Sequence, residues 1–305
     1  MKKLLILGGS GFVGSSIIDY GIDKGLIKNN IEEVFILSRS SKSKQKKLKY
    51  IRITYINKNI LDVKKLPQID YIIYSLKNKS TKISNSYFNQ FLLLLKKLKK
   101  KPKILFTSSG AVYGKNTNKK KDNENKKISI KSINNLSGYK KEYAKEKIFL
   151  EKKFKKLAAK NYNVSIARCY TFIGNGIIKY KYAISDLINA ALKKNIIKLN
   201  TPIDVYRSYM HSDDLAKWLI TILINSNTEC PIYNVGSDKI VNLRRLAKII
   251  AKLSQKETLL KKKSSKKYDY YIPSITKAKK ELSLKISISL NQALNSTIKT
   301  FNDKN

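Results

Sequence analysis

Cysteine is nearly missing. Cys169 and Cys230 are the only two, with no Cys-x-x-Cys or Cys/His spacing around them. A disulfide framework and a zinc site are thereby excluded, and reduced thiols in a cytoplasmic protein are expected. Histidine occurs once, at His211, just ahead of an amphipathic run, where a structural role is expected; no metal site is read from the chain. Trp218 is also alone, inside that run, and reads as core. Long apolar runs are lacking. Met1-Lys2-Lys3 and Leu4–Leu7 resemble the start of a secretory signal, but the run is too short and Gly8-Gly9 breaks it. Phe91–Leu95 stops at Lys96-Lys97, so nothing is long enough to span a membrane. Acidic residues are scarce: 21 against 64 Lys and Arg, a formal net charge of +43. Such a charge usually points to nucleic acid or an anionic membrane. Here the excess is lysine spread through every segment. Arginine is confined to Arg39, Arg52, Arg168, Arg207, Arg244 and Arg245, and Lys, Ile, Asn and Tyr are plentiful together. That is a composition bias with a solvated lysine surface, which steers anionic substrates; no nucleic-acid or membrane partner is expected.

What is present begins at once. Leu4–Leu7 is a buried-strand run closed by Gly8-Gly9-Ser10-Gly11-Phe12-Val13-Gly14. Strand, glycine turn and helix start follow in that order. Gly8 permits the turn, Gly11 lets a diphosphate approach the backbone, and Gly14 lets the helix lie close on the strand. The helix N-terminus, with the N–H groups of residues such as Phe12 and Val13, then faces the phosphates. That helix is expected over Phe12–Lys24, with Gly25 as its stop. Strands follow at Val34–Leu37, Ile51–Tyr55, Ile69–Tyr74 and Lys103–Phe106, with an amphipathic helix at Ser84–Lys100. Alternating strand and helix predict a parallel sheet with helices on both faces. After the second strand an NAD enzyme of this architecture carries an acid, whereas this chain has Ser38 and Arg39. An arginine fork suits a 2′-phosphate, so NADP is expected ahead of NAD.

The fifth strand runs into Thr107-Ser108-Ser109-Gly110, hydroxyls where open α/β sheets bind ligands. Lys115–Lys131 reads as a mobile loop at the site mouth. A helix over Tyr139–Lys160 places Tyr143 and Lys147 on one face. A phenol titrates near pH 10, and a neighbouring ammonium lowers that value, so the pair can exchange a proton near neutrality, with Ser109 bonded to the same substrate oxygen. Further on, helices are expected at Ile184–Leu192, Asp213–Ile224 (N-capped by Ser212) and Leu243–Leu253, a strand at Cys230–Val235, an extended stretch at Ile203–Tyr209, and a solvated loop at Lys261–Lys267.

Taken in order, GGSGFVG, SSGAVYG (Ser108–Gly114), YAKEK (Tyr143–Lys147), RSYMHSDDLAKWL (Arg207–Leu219), YNVGS (Tyr233–Ser237) and SITKAKKELSL (Ser274–Leu284) resemble the extended short-chain dehydrogenase/reductase family, the NAD-dependent epimerases, dehydratases and reductases of nucleotide sugars. The resemblance runs nearly end to end. It implies an α/β Rossmann-type doubly wound parallel sheet over 1–168 and a smaller C-terminal α/β substrate lobe over 169–305, with segments around 197–235 partly returning to the first. It implies Tyr143 as acid/base, Lys147 on the nicotinamide ribose, Ser109 on the sugar oxygen, Asn59 and Ile60 at the adenine, and Arg207 on the substrate diphosphate. Relatives often form homodimers through a helix pair, here Ser84–Lys100 and Tyr139–Lys160. Where the dehydratases carry Asp-Glu, this chain has Gly110 and Ala111, so a 4,6-dehydratase is not expected. Thr171 stands in place of the usual asparagine, and Tyr74-Ser75-Leu76-Lys77 replaces His-Leu-Ala-Ala. The expected activity is NAD(P)-dependent 4-keto reduction or 4-epimerisation of a deoxysugar nucleotide. The alternative is a regulatory protein of the same fold that binds the dinucleotide without turnover.

Overall fold

The computed structural model describes residues 1–21, 26–39, 45–48, 51–78, 80–177 and 182–302. The glycine-closed run folds as strand β1, Lys2–Leu7, and helix α1, Phe12–Tyr20, with Gly11 as N-cap. The expected stop at Gly25 lies outside the described residues. Next come β2 (Ile31–Ser38), β3 (Gln45–Leu48), β4 (Ile51–Asn57), β5 (Tyr71–Tyr74), α2 (Thr81–Lys96) and β6 (Lys103–Ser109). A short α3 (Ile130–Asn134) leads to the long α4 (Gly138–Ala158), then β7 (Val164–Cys169). The strand at β3 was not anticipated. It follows a lysine-rich stretch and runs antiparallel to β4 at the sheet edge.

The second half of the chain holds β8 (Phe172–Ile173), α5 (Ala183–Lys193), β9 (Ile196–Leu199), β10 (Asp204–Arg207), β11 (Met210–His211), α6 (Ser212–Ile224) and β12 (Ile232–Val235). It ends with β13 (Val241–Asn242), α7 (Leu243–Leu253), β14 (Glu257–Leu260), β15 (Tyr268–Tyr271), α8 (Thr276–Leu282) and α9 (Leu290–Asn302). The central sheet has the order β12-β7-β6-β5-β1-β2-β4-β3, parallel throughout except for β3. This is the doubly wound α/β fold. Small sheets of two or three strands carry the rest, among them β13-β10-β15.

Both faces of the sheet are covered because β1, β5 and β6 are apolar on both sides, as parallel strands must be. On one face, α6 buries Trp218, Leu215, Leu219 and Leu223 together with Ile17 of α1. On the other, α2 and α4 close over Tyr74, Phe88, Phe91, Phe106 and Phe154. Phe106 and Phe154 stack at 4.6 Å, and Tyr74 meets Phe154 edge-on at 5.2 Å. Such pairs add about 0.5–1.5 kcal/mol each beyond burial. α4 is also tied to the strands beneath it by an ion pair. Arg168 of β7 gives Nε to Glu151 Oε1 at 2.9 Å and Nη2 to Oε2 at 2.7 Å, and Ser108 donates to the same carboxylate at 2.6 Å.

Two local expectations change. The N-cap of α6 is His211, not Ser212: its Nδ1 accepts the Asp213 N–H at 3.2 Å, and Ser212 is already helical. The stretch after Gly114, expected to be a mobile loop, is anchored through Asp122, which is buried. Asp122 N–H donates to Ile272 O at 3.0 Å, its carbonyl accepts from Ser274 and Asn234, and its carboxylate takes Lys126 at 2.6 Å. A buried backbone polar group needs such partners, and lysine density alone does not reveal them.

Candidate functional site

The strand order reverses between β1 and β5, and a cleft opens there beyond the carboxyl ends of the strands, where ligands bind in this kind of sheet. Its volume is ≈ 200 Å³. Gly8, Ser10 and Gly11 form its floor, with Leu37, Ser38 and Arg39 from the end of β2, Lys58, Asn59 and Ile60 after β4, and Ser75, Leu76, Lys77 and Asn78 after β5.

The glycines explain the floor. Gly8 has φ +84°, and a Cβ there would meet Ser75 O at 2.6 Å, so the turn is strained for any other residue. At Gly14 a Cβ would lie 2.3 Å from Gly9 O, so only glycine lets α1 come this close to the loop. Gly11 is different. A Cβ there would meet only Gly8 O, at 3.5 Å, so its open side faces the cleft. Together with the N-terminus of α1, whose cap makes no side-chain hydrogen bond, this is a cradle suited to a dinucleotide's phosphates. The Phe12 ring stacks on that of Phe172 at 6.2 Å, and Val13 packs against the same core. Ser38 is buried and donates to Ser10 Oγ at 2.6 Å, whereas Arg39 beside it is exposed. Asn59 accepts the Leu61 N–H at 3.2 Å and donates to Tyr87 Oη at 3.0 Å, which fixes the short turn that carries Ile60.

From this cleft the wall continues to α4. Lys147 Nζ donates to Leu76 O at 3.4 Å, which seats the ammonium against the cleft lining. The same nitrogen lies 5.5 Å from the centre of the Tyr143 ring and 5.2 Å from that of Phe106. Ser109, at the end of β6, is close enough to the Tyr143 phenol to oppose the upward shift that burial gives it. Ser109 Oγ in turn lies 3.2 Å from Tyr271 Oη. Three hydroxyls from β6, α4 and β15 thus meet beside one buried lysine.

The electrostatics differ from the sequence expectation in one respect. Burial pushes the Tyr143 phenol well above its usual value, and the nearby Tyr271, Cys169 and Glu146 push the same way, against the pull of the Ser109 hydroxyl. The Lys147 ammonium does not outweigh them. Its charge lies over the ring and 3.7 Å from Glu146 Oε2. Lys147 itself is lowered by burial, with Glu146 opposing that and Lys77 adding to it.

Arg207 is on the same side of the molecule, its guanidinium 5.8 Å from the Tyr271 ring centre, but it is already committed. Its Nη2 meets Asp269 Oδ2 at 2.6 Å and its Nη1 donates to Asp269 O at 3.1 Å. Burial raises the Asp269 carboxyl, but Arg207 and Lys140 outweigh it and hold the group below its usual value. Thr171 donates to Ser208 O, which occupies its hydroxyl.

Three residues of this site escaped the sequence reading. Tyr271 lies far along the chain, and only the parallel pairing of β15 with β10 brings it over Ser109. Lys77, Nζ at 5.2 Å from the Tyr139 ring and 5.8 Å from that of Tyr143, was noted only as a departure from a motif. Glu146, inside the Tyr-x-x-x-Lys segment, carried no signal of its own. Among the described residues no group of His, Cys, Asp and Glu could hold a metal, and no helix is long and apolar enough to cross a membrane.

The chain resembles known proteins in both sequence and structure. UDP-glucose 4-epimerase from Thermotoga maritima, solved with UDP-glucose, superposes with a TM-score of 0.74 at 17% identity, covering 99% of each chain. RMD from Pseudomonas aeruginosa, solved with NADPH, gives 0.74 at 18% identity over 100% of each chain. At such identities the likeness concerns the fold. In sequence, the bifunctional polymyxin resistance protein ArnA of Wigglesworthia glossinidia brevipalpis is 28% identical over 274 residues, 78% of this chain. The chain spans 39% of that relative's length. A family model matches residues 4–236, from β1 through the end of β12, and so takes in the glycine loop, Ser109, Tyr143 and Lys147. On that match the chain belongs to the NAD dependent epimerase/dehydratase family.

Proposed function

We propose that this protein is an NADP-preferring reductase acting on the 4-keto group of a nucleotide-linked deoxysugar. The observation that carries the reading is the contact of the Ser109 and Tyr271 hydroxyls, with the Tyr143 phenol near them and Lys147 over its ring, at the end of the switch-point cleft. When bound, a nicotinamide dinucleotide supplies the hydride. The chain's own residues handle the oxygen that must gain a proton. Ser109 Oγ and Tyr271 Oη hold the keto oxygen, and Tyr143 Oη gives it the proton. A phenol pushed up by burial holds its proton at neutral pH, the protonated form from which a donor starts. Lys147 lies where it can hold the ribose hydroxyls against Leu76.

Arg39 supports the cofactor preference. It lines the cleft, is exposed, and has no acidic neighbour at the end of β2 to repel a 2′-phosphate. Gly110 argues against water elimination. A Cβ there would lie 2.4 Å from the Tyr170 ring, so an aspartate could not be seated without moving that ring. Arg207 would meet the substrate diphosphate only by exchanging or sharing Asp269.

The test is NADPH absorbance during incubation with a panel of nucleotide-linked 4-keto-6-deoxysugars. Consumption of NADPH with at least one of them is expected. No consumption with any ketosugar, together with interconversion of parent nucleotide sugars without net cofactor use, would replace the reductase by an epimerase. Failure of both assays with intact NADPH binding would leave the non-catalytic binding protein.

A further inference from the structure

Glu146 has no place in the chemistry above, yet it is 2% exposed. Its flanking residues on α4 differ: Lys145 is exposed, and Lys147 is 3% exposed. A carboxylate this deep is costly unless paired and hydrogen-bonded. One oxygen is provided for. Ser84 of α2, itself fully buried, donates to Glu146 Oε1 at 2.7 Å, and Asn78 of the cleft wall donates to Ser84 Oγ at 3.1 Å. The other oxygen, Oε2, accepts no hydrogen bond among the described residues and lies 3.7 Å from Lys147 Nζ.

Lys147 needs such a partner. Its surroundings are the Tyr143 ring on its own helix, the Phe106 ring of β6, the Cys169 thiol of β7, and Leu76 O with the Lys77 ammonium after β5. Burial and the like charge of Lys77 both favour a neutral amine. The carboxylate of Glu146 favours the charged form, and a helix-to-helix hydrogen bond fixes it in place. Tyr74 of β5, whose buried Oη also has no hydrogen bond among the described residues, lies within electrostatic reach of the same carboxylate.

We propose that Glu146 is a positioning residue for Lys147: held from α2 by Ser84, its buried carboxylate keeps the lysine charged and seated against Leu76, ready for the ribose hydroxyls of the dinucleotide. The inference rests on the reading of Lys147 as a cofactor-holding residue, and the experiment separates the two. NADPH fluorescence titrations are run from about pH 6 to about pH 10 on the full chain and on Lys147→Met, Glu146→Gln and Glu146→Asp, with melting temperatures taken alongside. Wild-type affinity should fall along an alkaline limb as Lys147 loses its proton. Glu146→Gln keeps the size and the Ser84 contact but removes the charge, so the limb should move about one pH unit lower, a loss of about tenfold in affinity on the limb. Glu146→Asp should keep the limb near the wild-type position. Should Glu146→Gln not fold, Glu146→Ser, smaller and equally uncharged, carries the same comparison. A Glu146→Gln limb that coincides with wild type, with only the melting temperature lowered, reduces Glu146 to a tie between α2 and α4 and overturns the proposal. Lys147→Met should bind weakly with a flat profile. If instead it binds as wild type with the limb unmoved, the cofactor role of Lys147 fails, and the proposal with it.

Discussion

Replacing Tyr143 with phenylalanine removes one hydroxyl from a cluster of three and leaves the ring over which Lys147 and Lys77 lie. Turnover should fall by about 10²–10⁴-fold while NADPH affinity stays within about twofold, since the ring packing is unchanged. Activity that survives this change, measured by NADPH consumption, would move the proton donor elsewhere. Arg39 is the second residue whose role can be isolated, because it is exposed and its loss should not disturb the fold. Arg39→Ala should weaken NADPH by about tenfold or more and leave NADH nearly unchanged, the size of one charge-assisted hydrogen bond to a phosphate. Equal weakening of both cofactors would show that the arginine does not read the 2′-phosphate.

Helix starts decide how the elements sit on the sheet. α1 begins against the glycine loop, and Gly14→Ala would place a methyl 2.3 Å from Gly9 O. The helix must lift or the loop must shift, so a loss of about 1–3 kcal/mol and weaker dinucleotide binding are expected together, read by thermal melts and NADPH titration. α6 begins at His211, whose Nδ1 accepts the Asp213 N–H and must therefore stay unprotonated in the folded protein. Burial lowers the imidazole below its usual value, against the pull of Asp213 and Asp214. The unfolded chain binds the proton first as pH falls through about 6.5, so native stability drops below that pH and is fully present above it. Melting temperatures at about pH 7.5 and pH 5.5 should fall more for wild type than for His211→Asn, which keeps an acceptor but cannot titrate. Equal falls would mean the imidazole does not sense the cap. α4, the element that carries Tyr143 and Lys147, depends on Glu151 and Arg168. Glu151→Gln leaves a buried guanidinium with half its partner and should cost about 3–5 kcal/mol in denaturant unfolding.

Across the whole molecule the dominant fact is a formal charge of +43 borne largely by exposed lysines. Self-repulsion of that size works against the compact state, and added salt screens it. The melting temperature should therefore rise between about 20 mM and about 300 mM sodium chloride, the reverse of what a fold held by surface ion pairs would show. A falling melting temperature over that range would mean that the surface pairs, such as Lys3–Glu33 and Lys263–Asp204, outweigh the repulsion. The same field would draw an anionic ligand toward the surface, so an ionic-strength dependence of its association rate is built into the composition.

The sequence by itself determined the parallel sheet, the glycine loop, and the placing of Tyr143 and Lys147 on one face of α4, because each is a local matter. Apolar runs between glycine turns fix strands, residues without a Cβ fix the turn, and a spacing of four fixes a helix face. It also pointed to Ser109 and Arg39, which stand at strand ends and need no partner from elsewhere. Tertiary structure decided what depends on contacts between distant elements. Tyr271 reaches Ser109 only through the pairing of β15 with β10, and Arg207 meets Asp269 across the same pairing. The lysine-rich stretch after Gly114 is anchored because Asp122 finds partners near Ile272 and Asn234, which no local pattern announces. Glu146 is buried because α2 crosses α4 at Ser84. The direction in which Tyr143 is shifted follows from how much water the folded chain removes around it. Desolvation belongs to the packed molecule, and the spacing of two side chains along a helix does not contain it.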